Sequence, residues 1–262
     1  MPSNPASARK KDATLAADVW LERALIANFV IHGLAMVAMA LVLAPMMPGG
    51  GQRDTVSRVA DIAAHPWLFR LGWSPWQMCA VADLWLAFAL LRVRWIPRAA
   101  SIPVLVLTVL AVMPDQVAQA VWITKGVDLA QRAQLSAADF ALYLRFEDET
   151  FALTASKAAL LYTLAAIGWT ACLWGAGLLS RALLVVSAVA WPIMLFVTGV
   201  LFLPPTWRVS PEAVAAGNAV GFLLLEVWFA LATEAVVRRR IPGFSIVAWC
   251  KGLFRRPQSE VG

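Results

Sequence analysis

Charged residues are scarce in this sequence. They make up 15% of its 262 residues, whereas 61% are hydrophobic. A soluble domain usually carries about 25% charged residues, so this chain has too little polar surface to coat a water-soluble globule. Lipid is therefore its expected solvent. Because lipid offers no hydrogen bonds to the backbone and the apolar runs do not alternate, each spanning segment is predicted to be a helix.

Histidine and cysteine are also scarce, and this excludes several chemistries. His32 lies in an apolar run and His65 in a loop, which disfavours a bis-histidine haem within one chain. The three cysteines are scattered and form no CxxC, so they are predicted to be packing residues rather than a disulfide framework or a metal cluster. The sequence also lacks a P-loop, GxSxG, HExxH and any nucleic-acid module. We expect no cofactor, no metal and no nucleic-acid partner.

Long apolar runs are abundant. A spanning helix needs about 20 mostly apolar residues. The runs that meet this requirement cover residues 24–44, 68–91, 99–123, 151–177, 183–203 and 213–237. We therefore predict an all-α, polytopic transmembrane helix bundle of about six spans, with residues 1–23 and 238–262 as tails. The first run has no obvious small-residue cleavage site after it, which favours a retained anchor over a signal peptide.

The distribution of Arg and Lys predicts the orientation. Fourteen of these residues lie in the two tails and the loops on the same side, and seven lie on the opposite side. Cytoplasmic loops carry the excess of positive charge, so both termini are predicted to face the cytoplasm. Basic and apolar residues alternate along 238–262, a pattern typical of contact with anionic inner-leaflet lipid. The net charge of +6 comes largely from these inner segments and does not indicate nucleic acid.

The longest outer loop spans residues 124–150. Ser136 and Asp139 have the spacing of a capping box, which predicts a short helix through residues 140–146 lying on the outer leaflet. The acidic run of Glu147, Asp148 and Glu149 follows it. This run is interpreted as a water-facing cluster, with a cation-collecting mouth as the alternative.

The segment from Arg58 to Leu91 is the most distinctive. It contains Ile62-Ala-Ala, then Leu68-Phe-Arg-Leu-Gly72, then a helix holding Asp83 before Leu84-Trp-Leu-Ala-Phe-Ala-Leu-Leu91. It resembles an uncharacterised bacterial family of six- or seven-helix membrane proteins in which an LFRxG motif opens the second helix and an Asp lies inside it. The resemblance implies a multi-pass protein of a bacterial inner membrane. That family has no assigned activity, so function stays open.

Two polar residues lie at an outer level of the predicted bundle. A charge near the bilayer centre costs at least ~2.5 kcal/mol, so each is a functional candidate that needs a partner. At ~1.5 Å per residue, Asp115 and Lys157 lie roughly 9–12 Å inside the outer ends of the third and fourth helices. With Gln119 one turn from Asp115, they predict a polar pocket that opens outward. The alternative is a structural ion pair between helices, helped by snorkelling of the lysine.

A second set lies at an inner level. His32, Asp83 and Glu226 fall on the first, second and sixth helices, which can adjoin in a closed bundle. A histidine with two carboxylates could pass a proton or hold a divalent cation. The alternative is that these groups only hydrogen-bond across helices, to residues such as Asn28 or Asn218.

Arg70 closes an aromatic outer loop. With His65 and the aromatic residues between them, it could hold an anionic headgroup or ligand at the membrane surface. The alternative is an interfacial anchor with Arg70 on lipid phosphate.

Three functions remain open from the sequence. The first is a non-enzymatic protein that binds, senses or conducts a small solute or proton in the polar pocket. The second is a membrane enzyme acting on a lipid or isoprenoid, with the inner level as acid and base. The third is an accessory or regulatory subunit. The oligomeric state is open in all three.

Overall fold

Helices account for all regular structure in the computed structural model, which describes residues 5–48, 54–207 and 209–246 and contains no strand within them. The α-helices are α1 Pro5–Ala38, α2 Thr55–Ala64, α3 Pro66–Arg92, α4 Arg98–Val121, α5 Val127–Arg132, α6 Ala137–Phe151, α7 Ala159–Gly175, α8 Arg181–Gly199 and α9 Pro211–Arg240. Wide π-helical turns at Met39–Leu43, Trp122–Gly126 and Ala152–Ala158 prolong α1, join α4 to α5 and join α6 to α7.

Six helical segments are long and apolar enough to cross a membrane, as predicted. They are Leu15–Met46, Pro66–Arg92, Arg98–Arg132, Ala137–Gly175, Arg181–Gly199 and Glu212–Arg240. Length and composition are thus those of a multi-pass membrane protein. Proline occurs inside three of the helices, at Pro75, Pro103, Pro114 and Pro192, as is tolerated where neighbouring helices cover the freed carbonyls.

The six spans form a closed ring. Each packs against the next along the chain, α1 on α3, α3 on α4, α4 on α7, α7 on α8 and α8 on α9, and α9 returns to α1. The predicted meeting of the first, second and sixth spans is therefore confirmed. Small residues allow close approach in this ring: a Cβ added to Gly217 on α9 would lie 2.6 Å from Val197 on α8. A Cβ added to Gly168 on α7 would lie 2.4 Å from Val104 on α4.

Both ends of the described chain lie on one side of the ring. Arg240 at the end of α9 donates to Glu22 on α1, with 2.6 Å between Nη2 and Oε2. Nearby, the Trp95 indole between α3 and α4 donates to Asp18 at 2.8 Å, and the Arg239 guanidinium lies 4.2 Å from the Trp95 ring. We call this the terminal side and the opposite side the cap side.

The fourth span differs from its prediction. The predicted Ser136 cap is present, because the Ser136 hydroxyl accepts from the Asp139 backbone N–H at 3.1 Å. The helix that begins there does not end as a short surface helix. It continues through the π-helical turn into α7 and forms one 39-residue segment, Ala137–Gly175. The third span likewise continues to Arg132, beyond the predicted end at residue 123. At about 1.5 Å per residue, both are much longer than the ~30 Å hydrocarbon core.

These extensions and α2 build a cap over one end of the ring. Helix α2 packs on α5, and α5 packs on α6. Their apolar faces form a cap core around the fully buried residues Ile62, Phe69, Trp122 and Tyr143. A second core lies toward the terminal side and includes Trp169, Trp191, Trp228 and Phe229. Cys79 and Cys172 are buried and free, whereas Cys250 lies outside the described residues.

A buried ion pair holds the cap together. The Arg58 guanidinium on α2 donates to both carboxylate oxygens of Glu147 on α6, with 2.6 Å between Nη2 and Oε2, and the Tyr143 hydroxyl donates to the same carboxylate at 3.0 Å. Arg58 and Glu147 are 6% and 4% exposed. The expectation that the whole acidic run faces water is therefore wrong at Glu147, because α6 turns that side chain toward α2. Asp148 and Glu149 are exposed.

Breaking this pair is expected to destabilise the cap strongly. Arg58→Met or Glu147→Met alone should lower the free energy of unfolding by about 3–5 kcal/mol, because each leaves an uncompensated buried charge, and the double variant should lose less than the sum. Arg132→Met is the control, since its ion pair with Asp139 is half exposed and is worth at most about 1 kcal/mol. The free energy of unfolding of all four variants is measured in detergent. Equal effects of Glu147→Met and Arg132→Met would contradict this role.

Candidate functional site

A cavity of about 810 Å³ lies inside the ring. All six spans contribute to its wall, which lies between the cap core and the terminal-side core. Toward the terminal side it ends at Trp169 and Trp191, which are buried. Toward the cap side its wall includes the exposed residues Asp148 and Val209. The cavity therefore reaches the cap side, and aromatic rings close its terminal-side end.

The cavity brings together residues that the sequence placed at two separate levels. His32 and Asp83 from the inner level and Asp115 and Gln119 from the outer level all line it. Each of these four side chains is at least nine-tenths buried. The two predicted levels are therefore one continuous cavity, because these side chains lie between the two cores and face the same space.

His32 and Asp83 approach each other across α1 and α3. The His32 Nδ1 lies 3.0 Å from the Asn28 carbonyl. A carbonyl only accepts, so Nδ1 carries a hydrogen, and Nε2 is the nitrogen that faces Asp83. Its distance to Asp83 Oδ1 is 3.8 Å, longer than a hydrogen bond, and this oxygen has no hydrogen-bond partner among the described residues. The pair can exchange a proton, or pair as ions, only after a small approach or through a bound molecule.

Asn28 fixes the position of this pair. Its amide donates to the Ala24 carbonyl on α1 and to the Ala82 carbonyl on α3, both at 2.8 Å. The second bond ties α1 to α3 one residue before Asp83. The alternative that the ionisable groups hydrogen-bond across helices to Asn28 is not what the structure shows, because the Asn28 side chain bonds to backbone carbonyls and His32 contacts the Asn28 carbonyl within α1. Asn218 lines the cavity instead.

Asp115 has polar neighbours but no cation. Its Oδ2 accepts from Gln119 Nε2 at 2.9 Å, one turn along α4, and from the Tyr162 hydroxyl on α7 at 3.3 Å. The predicted contact with Lys157 is not formed, because Lys157 lies on an exposed face of the π-helical turn before α7. Tyr162 takes the place that the sequence assigned to the lysine. The prediction missed Tyr162, although it is one of only two tyrosines in the chain.

Glu226 and Arg70 lie outside the cavity wall. Glu226 is half-buried on α9 and faces α1, where a Cβ added to Gly33 would lie 3.9 Å from its Oε2. Glu226 therefore lies between α9 and α1, and its Oε1 has no hydrogen-bond partner among the described residues. The exposed Arg70 donates from Nε to the Ile123 carbonyl at 2.9 Å. That carbonyl belongs to the π-helical turn after α4, so Arg70 ties α3 to the base of the cap.

Aromatic residues form much of the remaining wall. They are Trp73, Trp76, Phe151, Trp169, Trp191 and Phe222. Trp76 packs edge-on against Phe222, with 5.1 Å between ring centroids. The buried indole N–H groups of Trp73, Trp76 and Trp169 have no hydrogen-bond partner within the described ranges. The sequence gave no sign that these tryptophans share a cavity.

In comparison with known proteins, no family model, curated protein or solved structure matches the chain. The likeness to the LFRxG family therefore stays a prediction. No group of three or more His, Cys, Asp or Glu side chains that could hold a metal ion occurs in the part of the chain that the structure describes.

Asp115 and Lys157 are expected to behave as independent sites. Asp115→Asn should lower the free energy of unfolding by about 1 kcal/mol, because the amide keeps one accepting oxygen for Gln119 and Tyr162. Lys157→Met should change it by less than about 0.5 kcal/mol, and the double variant should equal the sum within the same margin. Unfolding of the three variants in detergent measures this. A double variant more stable than either single one would show an ion pair after all.

Proposed function

We propose that this multi-pass protein binds a small amphipathic molecule in the cavity between its six spans. The observation that carries the proposal is the convergence of buried polar side chains on one aromatic-walled cavity. Ligand sites typically have volumes of about 300–1,000 Å³ and mostly apolar walls with a few polar groups. The cavity of about 810 Å³ fits this description.

The cost of the buried carboxyl groups supports a function for them. Asp83 and Asp115 lie near the middle of their spans, where a charged group costs at least ~2.5 kcal/mol. A purely structural role would satisfy them with protein partners, yet Asp83 Oδ1 has no hydrogen bond within the described residues. A bound molecule that donates to Asp83 and Asp115 would recover this loss. Binding is therefore the simplest use of the arrangement.

We further propose that the protein lies in a cell membrane, a bacterial inner membrane by its predicted family, with both termini in the cytoplasm. The distribution of basic residues supports this orientation, because fourteen Arg and Lys residues lie on the side of the termini and seven lie on the opposite side. The basic tail proposed to contact anionic lipid lies mostly outside the described residues. In this orientation the cavity opens away from the cytoplasm.

A membrane enzyme acting on a lipid or isoprenoid is the second candidate. The observation that favours it is the 3.8 Å approach of His32 Nε2 to Asp83 Oδ1 in an apolar cavity. Such a pair can serve as an acid and a base on a substrate held between the aromatic rings. An accessory subunit, the third possibility, gains no specific support from the cavity.

The binding proposal predicts ligand-dependent stability. Purified protein in detergent should rise in thermal stability with at least one compound from a panel of lipids, isoprenoid alcohols, metal ions and small anions, because a ligand that binds only the folded state stabilises it. The shift should vanish in Asp83→Asn or Asp115→Asn. It should persist in Glu226→Gln, a matched control that alters a carboxyl group outside the cavity wall.

The outcomes separate the candidates. An unchanged melting temperature with every compound contradicts binding. Chromatography can detect chemical conversion of a stabilising lipid. Conversion that His32→Asn abolishes would favour the enzyme.

Cysteine labelling tests the proposed orientation. In a chain with its native cysteines replaced, Leu135→Cys on the cap side is expected to react with a membrane-impermeant maleimide in intact cells, since Leu135 is 81% exposed. Ala99→Cys, exposed at the terminal-side start of α4, should react only after permeabilisation. The reverse pattern would place both termini outside.

A further inference from the structure

The charge lining the cavity has one sign. Its ionisable wall residues are Asp83, Asp115, Asp148 and His32, and no Lys or Arg occurs in the wall as far as the structure describes it. Even with His32 protonated and paired with Asp83, two carboxyl groups remain without a cationic neighbour. The cavity therefore selects against anions and favours positive charge.

The Asp115 carboxyl accepts two hydrogen bonds in the cavity wall. Two donors, the Gln119 amide and the Tyr162 hydroxyl, point to a single carboxylate oxygen. Hydrogen bonds donated to a carboxylate stabilise its charged form. A buried carboxylate without a counter-charge is costly in a low-dielectric interior. Lys157 lies on an exposed face, and no Lys or Arg lines the cavity within the described residues, so a cationic ligand can supply the counter-charge.

The wall also indicates what kind of cation fits. Divalent inorganic cations such as Ca²⁺ need six or more oxygen ligands, and the wall offers few oxygens and no metal-binding cluster within the described residues. Tryptophan and tyrosine rings instead attract organic cations through their π faces, by about 2 kcal/mol or more when desolvated. Trp73, Trp76, Tyr162 and Trp169 supply such rings beside the two carboxyl groups. Met36 and Met194 add soft, adaptable apolar surface.

We infer that the ligand of this cavity is an organic cation with a bulky apolar body, its charge held by Asp115 among the aromatic rings. This inference rests on the proposed function, since it names the class of molecule that the cavity binds. The apolar body lies against Trp169, Trp191 and Phe222, and the charge lies toward Asp115 and Tyr162. The ligand enters from the cap side, where the exposed Asp148 forms an acidic mouth.

Two ions of matched shape and opposite charge test the inference. Tetraphenylphosphonium and tetraphenylborate have the same apolar body, so any difference in binding reports charge. Titration calorimetry in a non-ionic detergent should give at least tenfold tighter binding of tetraphenylphosphonium than of tetraphenylborate to the native protein. Equal affinity, or tighter binding of the borate, overturns the inference.

Variants test whether Asp115 binds the charged group of the ligand. Asp115→Asn should weaken tetraphenylphosphonium binding at least tenfold, and Asp115→Glu should keep it within about threefold, because the charge is retained. Glu149→Gln is the matched control, since it removes an exposed carboxylate that does not line the cavity and should leave the affinity unchanged. Tyr162→Phe removes one donor from Asp115 and should weaken binding severalfold, which keeps the test open if Asp115→Asn fails to fold. An unchanged affinity in Asp115→Asn or in Tyr162→Phe contradicts the proposed position.

The result is separable from that of the binding proposal. If a neutral isoprenoid alcohol stabilises the protein through Asp83 or Asp115 while tetraphenylphosphonium does not bind, the cation inference fails and the binding function stands. If tetraphenylphosphonium does not bind and no compound of the panel stabilises the protein, both fail.

Discussion

Backbone hydrogen bonding in a medium without water is the constraint on which this structure depends. Each spanning segment satisfies its own peptide groups as a helix, so only side chains remain to join one span to the next. Lipid tails are as apolar as leucine, and close packing therefore replaces hydrophobic burial as the main force between spans. Contacts such as Gly168 with Val104 and Gly217 with Val197 close the ring. The polar side chains of the spans are then left to face inward.

The inward-facing polar groups explain why the ring holds a cavity instead of a solid core. Between the cap core and the terminal-side core, the helices carry His32, Asp83, Asp115 and Gln119. Protein partners satisfy these groups only in part. Asp115 accepts a hydrogen bond from Tyr162, whereas Asn28 donates to the backbone of α3 and not to the ionisable groups. A dry core of leucines would be cheaper at the same positions. The incomplete satisfaction is thus the strongest physical argument that the cavity is occupied during function.

The cap lies at the end of the ring where the cavity wall reaches exposed residues. Besides α2, the cap consists of α5 and α6, which continue the third and fourth spans through π-helical turns, and such turns are frequent at functional sites. The Arg58–Glu147 pair fastens α2 onto these extensions, and Arg70 fastens α3 to the carbonyl of Ile123 in one of the turns. Movement of α2 relative to α6 would have to break the ion pair, and movement of the base of the cap relative to α3 would have to break the hydrogen bond of Arg70 to Ile123.

Hydropathy along the chain determined the class of protein, the number of spans and the buried polar candidates, because the length and composition of an apolar run are local properties. The spacing of Ser136 and Asp139 predicted the helix cap, and closure of a six-span bundle predicted that the first, second and sixth spans adjoin. The tertiary structure alone decided which side chains meet. Asp115 faces Tyr162 rather than Lys157, Glu147 is buried against Arg58, and two predicted levels merge into one cavity. These outcomes depend on how far each helix rotates about its axis and how far it extends beyond the lipid. Packing against distant segments sets both quantities, and hydropathy does not encode them.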